Sequence, residues 1–200
     1  MSTQTCVPKY NTGIKLPVKE AIVKKLINVG VVSVSLGLGV WAWAHDDMAM
    51  PQKAGSPEFQ QMKGLAGTWK GKKTPLHPGE KADRVVVKIK VTAAGSAIEE
   101  TLGPGTPHEM VDMYSDQNGK LSMVHYCAIG NQPHMVLKQA GPHQIQLEMG
   151  PSAGIDAAKD MHMHALTLDF PDANHLTETW TSYQGGKPGD TAVFTLTRAP

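Results

Sequence analysis

Aromatic residues are scarce in this chain of 200 residues: 3 Phe, 4 Tyr and 4 Trp make up 6% of it. A core must therefore be filled by aliphatic side chains and by the 11 Met, which adapt to irregular gaps. Cysteine is nearly absent, with Cys6 and Cys127 alone, so no disulfide framework holds a small fold together. Charge of one sign is lacking as well. With 19 Lys+Arg against 18 Asp+Glu there is no basic excess to neutralise a run of phosphates, which excludes nucleic acid as the expected partner. There is no phosphate loop, no dinucleotide-binding glycine fingerprint, no nucleophile elbow, no Cys-x-x-Cys and no His-Glu-x-x-His. A length of 200 residues further excludes a large multidomain enzyme.

What is present begins with an apolar run over residues 26–44 that follows Lys24 and Lys25 and ends on Ala42-Trp43-Ala44, small residues two apart before a polar stretch. This pattern predicts a signal peptide, with an N-terminal membrane anchor over 1–44 as the alternative, because the run is close to the ~20 residues that span a bilayer. Either reading exports residues 45–200 to the periplasm or outside the cell, with membrane contact only through an uncleaved N-terminal segment. Residues 1–44 hold five Lys and one Glu, so the remainder carries 14 positive and 17 negative charges. Residues 45–56 mix charge, Gly, Pro and Ala without apolar periodicity and read as a flexible linker.

From residue 57 onward the chain reads as one domain. Ser56-Pro57-Glu58 offers an N-cap, a first-turn proline and an early carboxylate for one short helix through about Leu65. Thereafter about ten β-type runs follow, near 67–73, 84–92, 97–102, 108–115, 120–129, 134–140, 144–149, 161–170, 175–183 and 191–198, parted by turn residues. The clearest turn is Asp116-Gln117-Asn118-Gly119-Lys120, in which Asn-Gly can take the positive φ of a tight hairpin. In the second run Val85, Val87, Ile89 and Val91 share one face opposite Lys88 and Lys90. The expectation is an all-β, antiparallel up-and-down barrel, which hides its edges by closing. An open sandwich of two sheets is the alternative.

Leu65-Ala66-Gly67-Thr68-Trp69-Lys70-Gly71, a Gly-x-Trp on the first strand after a short helix, resembles the opening of exported bacterial lipocalin-like (calycin) barrels of unknown function. The resemblance implies a cup for a small ligand, and a basic residue on the last strand, here Arg198, packed over Trp69. Closure makes the first and last strands neighbours independently of any family, and an Arg over an indole contributes ~0.5–2 kcal/mol. The paired cysteines that many secreted lipocalins use are missing.

All nine His lie beyond residue 44. Period-2 alternation places His162 and His164 on the face of Leu166, Leu168 and Phe170, and His125 and Cys127 on the face of Met123 and Ile129. Glu178 alternates with Leu176 and Trp180, and Glu100 with Ile98 and Leu102; Asp112 with Tyr114 is a weaker case of the same kind. Buried carboxylates need partners, and inward histidines are natural ones. The expected ligand-binding set is His125, Cys127, His162, His164, Glu178 and Glu100, with His125, His162 and His164 as metal ligands for zinc or copper, or a haem as cofactor. A binding protein for a small molecule or metal is the first reading. A ligand-free structural protein of the envelope, or a small enzyme using His and Glu in acid-base chemistry, are the alternatives; a catalytic thiol at Cys127 lacks a visible third residue to orient its histidine.

Overall fold

A proline at the first helical position and a serine before it start the only α-helix among the described residues. The computed structural model describes residues 55–74 and 82–200; the leader, the possible anchor and nearly all of the linker lie outside them. Helix α1 (Pro57–Gly64) is capped by the Ser56 hydroxyl, which accepts from the Phe59 amide at 3.3 Å. It buries Phe59 and Met62 against the strands that follow.

Those strands are β1 (Gly67–Lys73), β2 (Asp83–Thr92), β3 (Ala97–Leu102), β4 (Met110–Gln117), β5 (Lys120–Tyr126), β6 (His134–Gly141), β7 (Gln144–Met149), β8 (His162–Asp172), β9 (His175–Gln184) and β10 (Lys187–Arg198). Each pairs antiparallel with the next, and β10 pairs with β1, giving a closed barrel of ten strands. The hairpin at Asn118-Gly119 has φ 56° and 83°, and it sets Gln117 opposite Lys120 and hence Asp112 opposite His125. The expected order and number of strands hold, and the open sandwich is excluded. Three details differ. Val91, at the end of β2, is exposed; β5 stops at Tyr126, so Cys127 and an exposed Ile129 sit on the following turn; and β10 begins at Lys187, because Lys187 pairs with Gln184 across a two-glycine turn.

One end is sealed. Trp69 is fully buried and donates from Nε1 to the Leu65 carbonyl at 2.9 Å. Arg198, its cross-strand neighbour, holds its guanidinium 4.2 Å from the indole. It also donates to the carbonyls of Ala66 (2.6 Å), Gly64 (3.2 Å) and Ala173 (2.6 Å), so one cation closes the carboxyl end of α1 and the β8–β9 turn together. Gly67 has φ 148°, and a Cβ there would meet the Arg198 guanidinium. At Gly71 a Cβ would run into the Thr195 carbonyl. The glycines flanking Trp69 are thus steric conditions for the seam between first and last strands. The opposite end, where β1 finishes at Lys73, opens onto the barrel interior.

Candidate functional site

Polar side chains interrupt the apolar lining in one row across neighbouring strands. Glu100 on β3 faces Asp112 on β4, which faces His125 on β5, and all three are fully buried. Asp112 Oδ1 lies 2.6 Å from His125 Nδ1, an ion pair out of reach of water. Burial opposes a charge on His125, yet Asp112 and the neighbouring Cys127 raise its pKa to about 9. Burial likewise pushes Asp112 up, against the pull of His125. Because Asp112 occupies Nδ1, Nε2 is left on the other edge of the ring, buried and without a hydrogen-bond partner.

Across the interior stands Glu178 of β9. Trp180, two residues nearer the mouth, donates from Nε1 to Glu178 Oε2 at 3.1 Å and sets its ring 4.8 Å from that of His125. Tyr114 donates to Glu100 Oε2 at 2.6 Å. Burial, followed by the charges of Glu178 and Asp112, holds Glu100 well above the usual carboxylate range. Burial raises Glu178 to about 7, although hydrogen bonds from Glu100 and Trp180 pull it down. Glu100 Oε1 and Glu178 Oε1 are both buried without a hydrogen-bond partner, and of two carboxyls held in one dry site at least one keeps its proton.

Above this row a cavity of about 140 Å³ opens toward the mouth, lined by His125 and Trp180 together with Leu102, Met110, Met163 and Phe194. A wider groove of about 350 Å³ adjoins it, sharing Lys73, Leu102, Met110 and Phe194 and bringing Arg84 and His108 to the rim. An apolar chamber with one polar wall thus leads outward to a charged lip.

Of the residues expected from sequence, His125, Glu100 and Glu178 come together in this interior cluster with Asp112, Tyr114 and Trp180. Cys127 lies on the turn after β5, two residues beyond His125, and is not part of the cavity wall. His162 and His164 do not line the cavity, and the reason is a bulge: Met163 faces Ser182 while Ala165 faces Thr181, so His164 is an extra residue on β8. The bulge reverses the alternation, and Met161 and Met163 take the wall positions. His162 is nevertheless buried, donating from Nδ1 to the Asp160 carbonyl at 2.8 Å and lying 3.1 Å from His164 Nδ1 through Nε2. His164 stacks on Tyr183 at 3.8 Å and approaches Glu148 at 3.6 Å. Of the three histidines expected to share a metal, His125 alone is in the cavity wall. Among the described residues no group of three or more His, Cys, Asp or Glu is arranged to hold a metal ion.

No family model matches the chain, and no curated protein does. Among solved structures it is similar to Rv2717c from M. tuberculosis, at 15% identity and a TM-score of 0.50, over 74% of this chain and 100% of that one. It also matches a protein of unknown function from the DUF3598 family of Nostoc punctiforme, at 12% identity and a TM-score of 0.49, over 70% of this chain and 49% of that one, so it spans about half of that relative's length. The likeness to Rv2717c is one of fold. Together with Arg198 over Trp69, the closed ten-strand barrel places the protein among β-barrels of calycin-like form.

Proposed function

We propose that the protein is an exported barrel that binds a small, largely apolar molecule carrying one hydrogen-bond acceptor. The observation that carries this reading is His125 Nε2: fully buried, unpartnered, in the wall of a largely apolar cavity that also carries Lys73, Ser182 and Asp190, and held in orientation by Asp112 at 2.6 Å. An unsatisfied buried polar group is costly, and a ligand oxygen meeting Nε2–H offsets that cost. With its pKa near 9, His125 is charged at neutral pH and presents a donor there, which favours a carboxylate or carbonyl oxygen. The cavity of about 140 Å³ is below the ~300–1,000 Å³ of drug-sized sites and near the ~150 Å³ that accommodates benzene. A single ring or a short aliphatic acid fits, its apolar body on Leu102, Met163 and Phe194.

The reading is tested by titrating benzoate, benzyl alcohol and toluene against the intact protein while following tryptophan fluorescence, since Trp180 is itself in the wall. Benzoate is expected to give a saturable change and toluene a weaker one. Ala192→Met, which fills the cavity, is expected to remove both. If none of the three probes saturates, or Ala192→Met leaves the titrations unchanged, the cavity is not a binding site.

A further inference from the structure

Lys73 has no role in that reading, although it lines both the cavity and the wider groove beside it. On β1 the side chains of Trp69, Gly71 and Lys73 fall on the inward face, whereas Lys70 and Lys72 lie on the opposite face and are exposed. Lys73 is thus a half-buried cation on the inner side of the barrel, sharing the cavity lining with Leu102 and Phe194. Its backbone is held from both sides. It pairs with Asp83 of β2 and with Phe194 of β10. Just beyond it the Thr74 amide donates to the Val193 carbonyl at 2.8 Å, and the Val193 amide donates to the Thr74 hydroxyl at 3.0 Å. Asp83 and Asp190 stand at the same end of the interior, yet among the described residues Lys73 forms an ion pair with neither.

We propose that Lys73 holds an anionic group at the mouth, so that the ligand is a small molecule with oxygen acceptors at both ends of an apolar body, the outer one an acid. The proposal rests on the cavity reading above and adds the second end of the ligand to it. A cation set against apolar side chains without a counter-charge is costly, and a carboxylate in charge-assisted contact with its ammonium offsets that cost. His125 and Lys73 are both in the wall of the cavity of about 140 Å³, and Lys73 is also where that cavity runs into the groove of about 350 Å³. The spacing suits one ring. Lys73 lies in one cross-strand row with Phe194 and Glu178, so two strand spacings, about 10 Å of backbone, separate it from the interior polar residues. A guest whose inner oxygen meets His125 therefore brings its outer end to Lys73 and into the wider groove. Arg84 and His108 stand on the rim of that groove and add donors on the side from which an anion arrives.

The test titrates terephthalate and para-toluate against the intact protein by tryptophan fluorescence. The two share a ring and one carboxylate, and differ only in whether the far end is a second carboxylate or a methyl group. Terephthalate is expected to bind about tenfold more tightly, the scale of one hydrogen bond to a charged group, and Lys73→Met is expected to bring the ratio of the two affinities to about one. Equal binding of both acids by the wild type, with benzoate still saturable, overturns this inference and leaves the cavity reading standing. If benzoate does not saturate either, the cavity reading fails and this inference with it. A ratio that survives Lys73→Met places the outer anion on another group and overturns the role of Lys73. Should that variant not fold, the wild-type ratio is measured at low and at high salt: screening of the outer ion pair is expected to shrink it, and a ratio indifferent to salt overturns the proposal.

Discussion

Replacing Glu178 by Gln should change how the fold responds to pH more than it changes the fold. Glu178 is fully buried on β9 beside Glu100, and its carboxyl ionises at about 7 in the folded protein against an ordinary value of 4.5. The folded state therefore binds more protons than the unfolded chain between these two pH values, and its stability falls as pH rises through the window. At about 1.4 kcal/mol per decade, a carboxyl raised from 4.5 to about 7 makes the barrel about 3 kcal/mol less stable at pH 8 than at pH 4.5. Glu100 and Asp112, both raised chiefly by burial, act in the same direction. A glutamine at 178 keeps the shape and the acceptor for Trp180, and cannot ionise. Urea unfolding at pH 5, 6, 7 and 8 is the assay. Wild type should lose stability steadily over this range, whereas Glu178→Gln should be flatter and should exceed wild type at pH 8. A wild-type midpoint that climbs from pH 5 to 8, or a variant that follows the same slope, refutes the account of the interior carboxyls.

Other outcomes follow from the sealed end and the cavity. Trp69→Ala removes a fully buried indole and should cost ~3–5 kcal/mol in urea unfolding, while Arg198→Met should cost less, on the scale of the ~0.5–2 kcal/mol of a cation on a ring plus its three carbonyl contacts. Gly71→Val should prevent folding, seen as loss of the near-ultraviolet circular dichroism of the aromatic core, because its Cβ has no room against the Thr195 carbonyl. His162→Gln should leave the benzoate titration unchanged, since His162 lies outside the cavity wall, yet lower the melting temperature through the lost contacts to Asp160 and His164.

The barrel was legible because its turns are written in local chemistry. Asn118-Gly119 fixes one hairpin register outright, and counting back from Gln117 and Lys120 puts Asp112 opposite His125; the pair at the heart of the site could have been paired by that count alone. Glu100 and Glu178 could be suspected from alternation, but that they meet across the interior depends on closure. His162 and His164 show the limit of periodicity. A single extra residue at His164 reverses every assignment on the mouth side of β8, and no residue type there announces it: the bulge is held by Met163 against Ser182 and by the Tyr183 stack. Nor does spacing reveal that β5 ends before Cys127, which turns an expected strand residue into a turn residue.

The seam between β1 and β10 also governs how the chain reaches its native state. Every other pairing joins consecutive strands, so those pairings close loops far shorter than the whole barrel and at lower entropic cost. The seam contact between Arg198 and Ala66 joins residues 132 apart in sequence, which makes ring closure the late and slow event in folding. Until it happens β1 and β10 are both bare edges, able to pair with the edges of another molecule. A chain emerging from its amino end exposes β1 throughout this interval, since its partner is the last strand to appear. Variants weakened at Trp69, Gly71 or Arg198 therefore lengthen the time spent as an open sheet, and their visible failure should be strand-exchanged dimers and aggregates formed during folding.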